Sequence, residues 1–195
     1  CGAFDVLRYV NATEESEKEK YGKRTQEWLA LFNYGTLPFY WGTYEPEEGD
    51  VRQAEMDKCV EFLTARGITL KGHPLCWHTV CADWLLSYDD KTIFEKQLER
   101  INREVSHFKG KITYWDVINE TVILPVFDKY DNAVSRICAR YGRLTLIKEV
   151  FAAAKAADPE ARLLINDFNT TDKYEKVIEE CLQAGVPIDA IGIQS

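Results

Sequence analysis

Residues 113–120 read TYWDVINE: an apolar run that ends abruptly in an amide, Asn119, and a carboxylate, Glu120. A short run of aromatic and β-branched residues behind Gly110 has the composition of a strand. It is apolar almost throughout, so both of its faces should be buried, as in a parallel sheet. A carboxyl group at the end of such a strand has little water around it. Its pKa rises, which suits a general acid near neutral pH. Asn119 beside it can hydrogen-bond a hydroxyl. An Asn-Glu pair alone is also compatible with an ordinary helix start, so its neighbours decide its meaning.

Outward from this stretch the same pattern repeats. Apolar runs occur at 1–6, 34–40, 68–70, 112–118, 163–165 and 188–193. Between them lie helical stretches at 13–32, 51–66, 91–108, 144–157 and 172–184. The second has Asp50 as expected N-cap and Gly67 just past its end. The third has Asp90 as expected N-cap and an apolar stripe of Phe94, Leu98, Ile101, Val105 and Phe108. Six strands alternating with helices imply an α/β fold with a parallel sheet, either open or closed into a barrel.

The strand ends separate the two. The third run continues into KGHPLCWH (71–78), which places His73, Trp77 and His78 just past it. The fifth ends in Asn166-Asp167 and the sixth in Gln194. Polar groups at the C-terminal end of strand after strand fit a barrel, which gathers those ends around one pocket. An open sheet would concentrate them at one switch point, usually with a glycine-rich phosphate turn. No G-x-G-x-x-G or G-x-x-x-x-G-K-[ST] occurs. The expected fold is therefore a (β/α)8 TIM barrel.

Length and charge narrow the function. The 195 residues suggest one domain, 1–195, yet a barrel needs eight units and roughly 250 residues. About six of the eight units are expected here. The chain begins at Cys1, has its only methionine at position 56 and stops at Ser195 on the heels of an apolar run, which reads as a piece of a longer protein. A composition 46% hydrophobic and 29% charged excludes a disordered chain. No apolar run has the roughly 18 residues of a membrane span. With 32 acidic against 24 basic residues and a net charge of −8, the balance argues against a nucleic-acid partner and suits a neutral substrate.

Other residues carry competing readings. His73, Cys76, His78 and Cys81 include zinc-ligand types, but alternation along a strand keeps the first three off one face, so no metal is expected. The six cysteines read as mostly free thiols, Cys59 and Cys181 as small hydrophobes on helix faces. Trp41, Trp77 and Trp84 lie in loops or at strand ends, where aromatics line ligand sites; packing explains each singly, and their grouping favours a cleft. Asp167 is either a ligand contact or a turn-former ahead of Asn169-Thr170-Thr171.

Taken together these motifs resemble those of the family-10 glycoside hydrolases, the endo-β-1,4-xylanases. TYWDVINE is similar to the family's acid/base strand, KGHPLCWH to its third strand, LLINDFN (163–169) to its fifth, IDAIGIQS (188–195) to its sixth and YEPEEG (44–49) to the loop after its second. The resemblance implies a retaining hydrolase of xylan or xylo-oligosaccharides, without a cofactor. Glu120 would be the acid/base, and Asn119 would contact a sugar 2-hydroxyl. His73 and Trp77 would line the cleavage subsite, and Gln194 would lie near the nucleophile. Trp41, Trp84, Asn166 and Asp167 are the further candidate substrate contacts. The nucleophile, a Glu at the end of strand seven in the family, is expected beyond this chain, so residues 1–195 alone should be inactive and marginally stable. An extracellular or periplasmic location follows from the resemblance only, since no signal peptide is visible. One departure stands out. The stretch TLPFYWGTYEP (36–46) is shorter than its family counterpart and has no Asn or Lys between Thr36 and Tyr44. Tyr40 and Trp41 could replace those sugar-gripping residues by stacking. Phe168 stands where a Tyr is common. A non-catalytic carbohydrate-binding barrel, or a related cellulase or mannanase, is the alternative.

Overall fold

The computed structural model describes residues 1–194. Five strands, β1 (Tyr34–Pro38), β2 (Thr69–His73), β3 (Tyr114–Asn119), β4 (Arg162–Asp167) and β5 (Ala190–Ile193), form one sheet. Every pairing is parallel, and the spatial order is β1-β2-β3-β4-β5. A doubly wound sheet reverses its order at a switch point; a barrel keeps chain order throughout. The order here is that of a barrel.

Helices follow the strands in turn: α4 (Gln53–Thr64) after β1, α5 (Asp90–His107) after β2, α6 (Ala133–Tyr141) and α7 (Arg143–Ala157) after β3, and α8 (Asp172–Gln183) after β4. A single-turn α3 (Trp41–Tyr44) precedes α4, while α1 (Phe4–Asn11) and α2 (Glu15–Leu31) precede β1. The helices bury Met56, Cys59, Val60, Leu63, Ile101, Val105, Ile147, Val150, Phe151 and Val177 in one core with Leu37, Leu70, Trp115, Val117, Leu163 and Ile165 of the strands. Among the described residues, no helix is long and apolar enough to cross a membrane.

The expected first strand is not one. Its run is reduced to a single bridge, Gly2 to Thr36, after which the chain becomes α1. Ala3, Val6, Leu7 and Val10 recur at helical spacing, and this apolar stripe packs α1 against the core. Five strands and one bridge thus stand where six strands were expected.

Three helix details also differ. Helix α4 begins at Gln53 without a cap from Asp50, because a turn closes through Asp50 N–H to Glu47 O (3.0 Å) and Arg52 N–H donates to Tyr44 O (2.9 Å). The cap of α5 is Asp89, whose carboxylate accepts from Thr92 N at 2.9 Å. The expected stripe of α5 does face the core: Ile101, Val105 and Phe108 are buried, and Phe94 and Leu98 are partly buried against it, Phe94 stacked on Tyr141 with centroids 4.9 Å apart. The buried face is wider than expected and also takes in Ile93, Gln97, Arg100 and Glu104.

One glycine is required by packing. Gly72 of β2 pairs with Trp115 of β3. A Cβ at Gly72 would lie 2.2 Å from the Trp115 ring. The missing side chain lets the indole lie across β2 and meet Phe39, centroids 5.0 Å apart.

Candidate active site

Strand β3 carries the decisive irregularity. Its register against β4 shifts between Asp116 and Ile118. One extra residue reverses the alternation of side chains beyond it. Asp116 and Asn119, three apart, would point to opposite faces of a regular strand; here both serve the same side. Asp116 lines a cleft of ≈ 400 Å³ together with His73, Asn166 and Gln194, and Asn119 bonds to the last two.

Glu120 ends the strand with φ +57°, in the left-handed region. For a non-glycine residue this costs roughly 1–3 kcal/mol and persists only where the surroundings enforce it. They do so here. Glu120 N–H donates to Asn166 O at 2.8 Å, and Leu124 N–H donates to Glu120 O at 3.2 Å. The next turn is held by Asp167, fully buried, whose Oδ2 accepts from Val122 N (3.0 Å) and Thr121 Oγ1 (3.3 Å). Its Oδ1 accepts from Asn169 N at 2.9 Å. Of the two readings of Asp167, the structure therefore favours the turn-former: both oxygens are occupied by neighbouring loops.

The Glu120 carboxyl is half-buried, and its pKa is raised, chiefly by loss of water and secondarily by the negative Asp167; a hydrogen bond from Trp77 and the charges of His73 and Lys129 oppose the rise. His78 Nε2 lies 3.6 Å from Glu120 Oε2. Burial pushes the His78 pKa down to about 4, so the imidazole is neutral at pH 7. It is packed against Phe127, centroids 4.2 Å apart, with Nδ1 lacking a partner among the described residues.

Across the cleft, buried Asp116 accepts from Lys71 Nζ and lies against His73 Nδ1, each 2.7 Å from its Oδ2. A proton on Nδ1 bonded to the carboxylate fixes the ring and leaves Nε2 free to meet a ligand. Sequence reasoning missed both Lys71 and Asp116. The sign was present: a charge in the middle of a buried strand needs a partner. Asn119 Oδ1 lies 2.7 Å from Asn166 Nδ2 and 3.0 Å from Gln194 Nε2, which links three strand ends through their amides. Turned by 180°, the Asn119 amide accepts from Trp77 Nε1 at 3.3 Å and from Gln194 Nε2 at 3.0 Å, and donates to Asn166 O at 3.3 Å. Tyr40 completes the wall, its centroid 5.7 Å from Trp77 and 5.8 Å from His73. A carboxyl poised to hold a proton thus stands beside hydrogen-bonding amides and flat aromatic faces. That combination can protonate a leaving oxygen while gripping a polyhydroxylated ligand.

Trp41 and Trp84, expected as ligand contacts, do not line this cleft. They cross edge to face at 5.9 Å and donate to Glu45, Trp41 to Oε2 and Trp84 to the backbone carbonyl, each at 3.0 Å. The Arg100 guanidinium lies 4.9 Å from the Trp41 ring centre. Glu45 also accepts from Arg103 at 2.8 Å, and Glu104 from Tyr44 at 2.8 Å. These charges need desolvated partners, and the two indoles close over them rather than turning to the cleft. Among the described residues, no group of three or more His, Cys, Asp or Glu is placed to hold a metal ion.

Comparison with known proteins agrees with this architecture. The model of glycosyl hydrolase family 10 matches residues 12–195. The endo-1,4-beta-xylanase 3 of Hypocrea jecorina is 31% identical over 163 residues, which cover 80% of this chain and 46% of that protein. The beta-1,4-xylanase of Dictyoglomus thermophilum is 32% identical over 148 residues, covering 71% and 40%. Xylanase 10B from Thermotoga petrophila RKU-1, solved in complex with xylobiose, superposes with a TM-score of 0.76 at 28% identity, covering 93% of this chain and 56% of that one. The chain spans about half the length, or less, of these curated relatives. With a family match over nearly all its residues and the strand order of the family's (β/α)8 barrel, this chain belongs to glycosyl hydrolase family 10.

Proposed function

We propose that the protein is a retaining endo-1,4-β-xylanase in which Glu120 is the acid/base. The observation that carries this is the Glu120 carboxyl: desolvated, raised in pKa, and set at a barrel mouth beside the amides of Asn119, Asn166 and Gln194. In a retaining mechanism such a group protonates the departing glycosidic oxygen while a second carboxylate, roughly 5–5.5 Å away, attacks the anomeric carbon. Glu120 then takes a proton from the water that releases the sugar. Asn119 and Gln194 hold sugar hydroxyls, and His73 and Trp77 bound the ring at the cleavage site. We assign the attacking role to no carboxylate among the described residues, since Asp167 is engaged by its loops and Asp116 by Lys71 and His73.

The test compares the full-length protein with Glu120→Gln on xylan and on an aryl xyloside whose leaving group needs no proton. The variant should lose most activity on xylan and keep the first, bond-breaking step on the aryl substrate. A variant as active as the parent on xylan would remove Glu120 from the mechanism. Xylan binding without any hydrolysis by the parent would favour the carbohydrate-binding alternative.

A further inference from the structure

Beyond the cleft runs a second groove of ≈ 350 Å³, bounded by α1, α4 and the loop after β1. Phe4, Pro38 and Tyr40 line both hollows, so the two lie side by side. The groove's floor is apolar, with the Tyr40 and Phe4 rings stacked at 6.1 Å and Met56 behind them. Its rim is cationic: Arg8 and Arg52 against the single carboxylate of Glu55. In a chain of net charge −8, a cationic rim beside the cleft favours an anionic ligand if at least one of its arginines is free of an acidic partner.

The arginines are not equivalent. Arg8 already pairs with Asp5 at 3.4 Å. Arg52 has no ion-pair partner among the described residues, and its backbone is fixed by N–H to Tyr44 O (2.9 Å) and by C=O to Met56 N (3.3 Å). Its guanidinium is thus an unspent cation on a rigid base. A planar guanidinium matches a carboxylate as a two-pronged donor, and an apolar aromatic floor suits the C–H face of a sugar ring.

We infer that this groove is a carboxylate-reading subsite, which takes a uronic-acid branch of the polysaccharide whose backbone lies in the cleft, with Arg52 gripping the branch carboxylate. The inference rests on the xylanase reading above. It also gives the altered stretch 36–46 a consequence. Where the family resemblance implies an Asn and a Lys holding the neighbouring sugar, this chain has Tyr40 as a wall shared by both hollows, opening the way from backbone to branch.

The test is calorimetric binding to the full-length protein of three ligands: a neutral β-1,4-xylo-oligosaccharide, the same backbone with one uronic-acid branch, and free glucuronate. The branched ligand should bind about three- to tenfold more tightly than the neutral one, the range of a partly solvated charge-assisted contact. Raising the salt should erase that advantage and leave neutral binding unchanged. Arg52→Gln, at an exposed position, should abolish the preference and keep neutral affinity; Arg8→Gln should reduce it less. Equal affinity for branched and neutral ligands, or a preference that survives Arg52→Gln, overturns the inference and leaves the xylanase reading intact. Free glucuronate binding as tightly as the branched ligand also overturns it, since the groove would then be an isolated anion site. Failure of every oligosaccharide to bind overturns both readings.

Discussion

His78 Nε2 lies 3.6 Å from the Glu120 carboxylate, yet the two do not form an ion pair at neutral pH. Burial holds the imidazole neutral by pushing its pKa down to about 4, and burial also raises the pKa of Glu120. Each group is kept toward its uncharged form by the same shortage of water. A protonated His78 would stabilise the Glu120 anion and weaken it as an acid; a neutral one does not.

This sets an acid limit on stability. An unfolded His titrates near 6.5, while His78 in the fold titrates near 4. Between these values the unfolded chain binds the extra proton. The contribution is fully present above pH 6.5 and is lost as pH falls through the window, by up to about 3 kcal/mol. Urea melts from pH 7 to pH 4 should show a steeper loss for the parent than for His78→Gln, which cannot charge. Parallel curves would refute the assignment.

Glu120 has the opposite sign. Its raised pKa means that the native state binds the proton more tightly than the unfolded one. Stability therefore falls as pH rises from the ordinary carboxylate value through the raised one, and the cost stays above it. Glu120→Gln should melt higher than the parent at pH 7 and nearly level with it at pH 3. In the same preparation, hydrolysis of xylan should drop about 10²–10⁴-fold.

Gly72→Ala drives a methyl to within 2.2 Å of the fully buried Trp115 ring, so one of the two must shift. The expected loss is about 1–3 kcal/mol, read as a lower thermal midpoint. Combining it with Trp115→Leu should cost less than the two single changes added together, because the smaller side chain relieves the clash. Strict additivity would mean that the contact is not the cause.

Arg100 is buried on α5 and donates to the carbonyls of Phe39 and Leu75, the residues just before Tyr40 and two before Trp77. It ties the two segments that bring the aromatic walls together. Arg100→Ala leaves the Phe39 carbonyl unmet and the Leu75 carbonyl with Gln97 Nε2 alone (3.0 Å), at an expected cost of about 1–3 kcal/mol. Under conditions where the variant remains folded, affinity for a neutral xylo-oligosaccharide should fall. Unchanged affinity in a folded variant would limit Arg100 to stability.

The sequence was most informative where one physical demand acts on contiguous residues. A strand buried on both faces must be apolar along its length, so four of the six runs, 34–40, 112–118, 163–165 and 188–193, overlap strands directly; 68–70 marks the start of β2. Polar residues that interrupt such a run must have partners, so Glu120, Asn119, His73, Asn166 and Gln194 could be picked out; His73, Asn166 and Gln194 line one cleft, Asn119 bonds to the last two, and Glu120 N–H bonds to Asn166 O. The run at 1–6 misled because an apolar stripe that includes Ala3, Val6 and Val10 serves a helix once α1 has a core to pack on. Which way Trp41 and Trp84 turn was not legible, because position in a loop does not say where an indole points; here the charges of Glu45 and Arg100 draw them together.

By itself the sequence determined the parallel α/β alternation and which residues end the strands, because hydrophobic burial and chain periodicity are local demands. Tertiary structure alone decided the bulge after Asp116, which reverses alternation and turns Asn119 to the same side as Asp116, and the left-handed backbone of Glu120. Both depend on β4: its register sets the bulge, and Asn166 O and the Asp167 carboxylate hold the strained turn against its preference. No property of TYWDVINE read alone contains that partner.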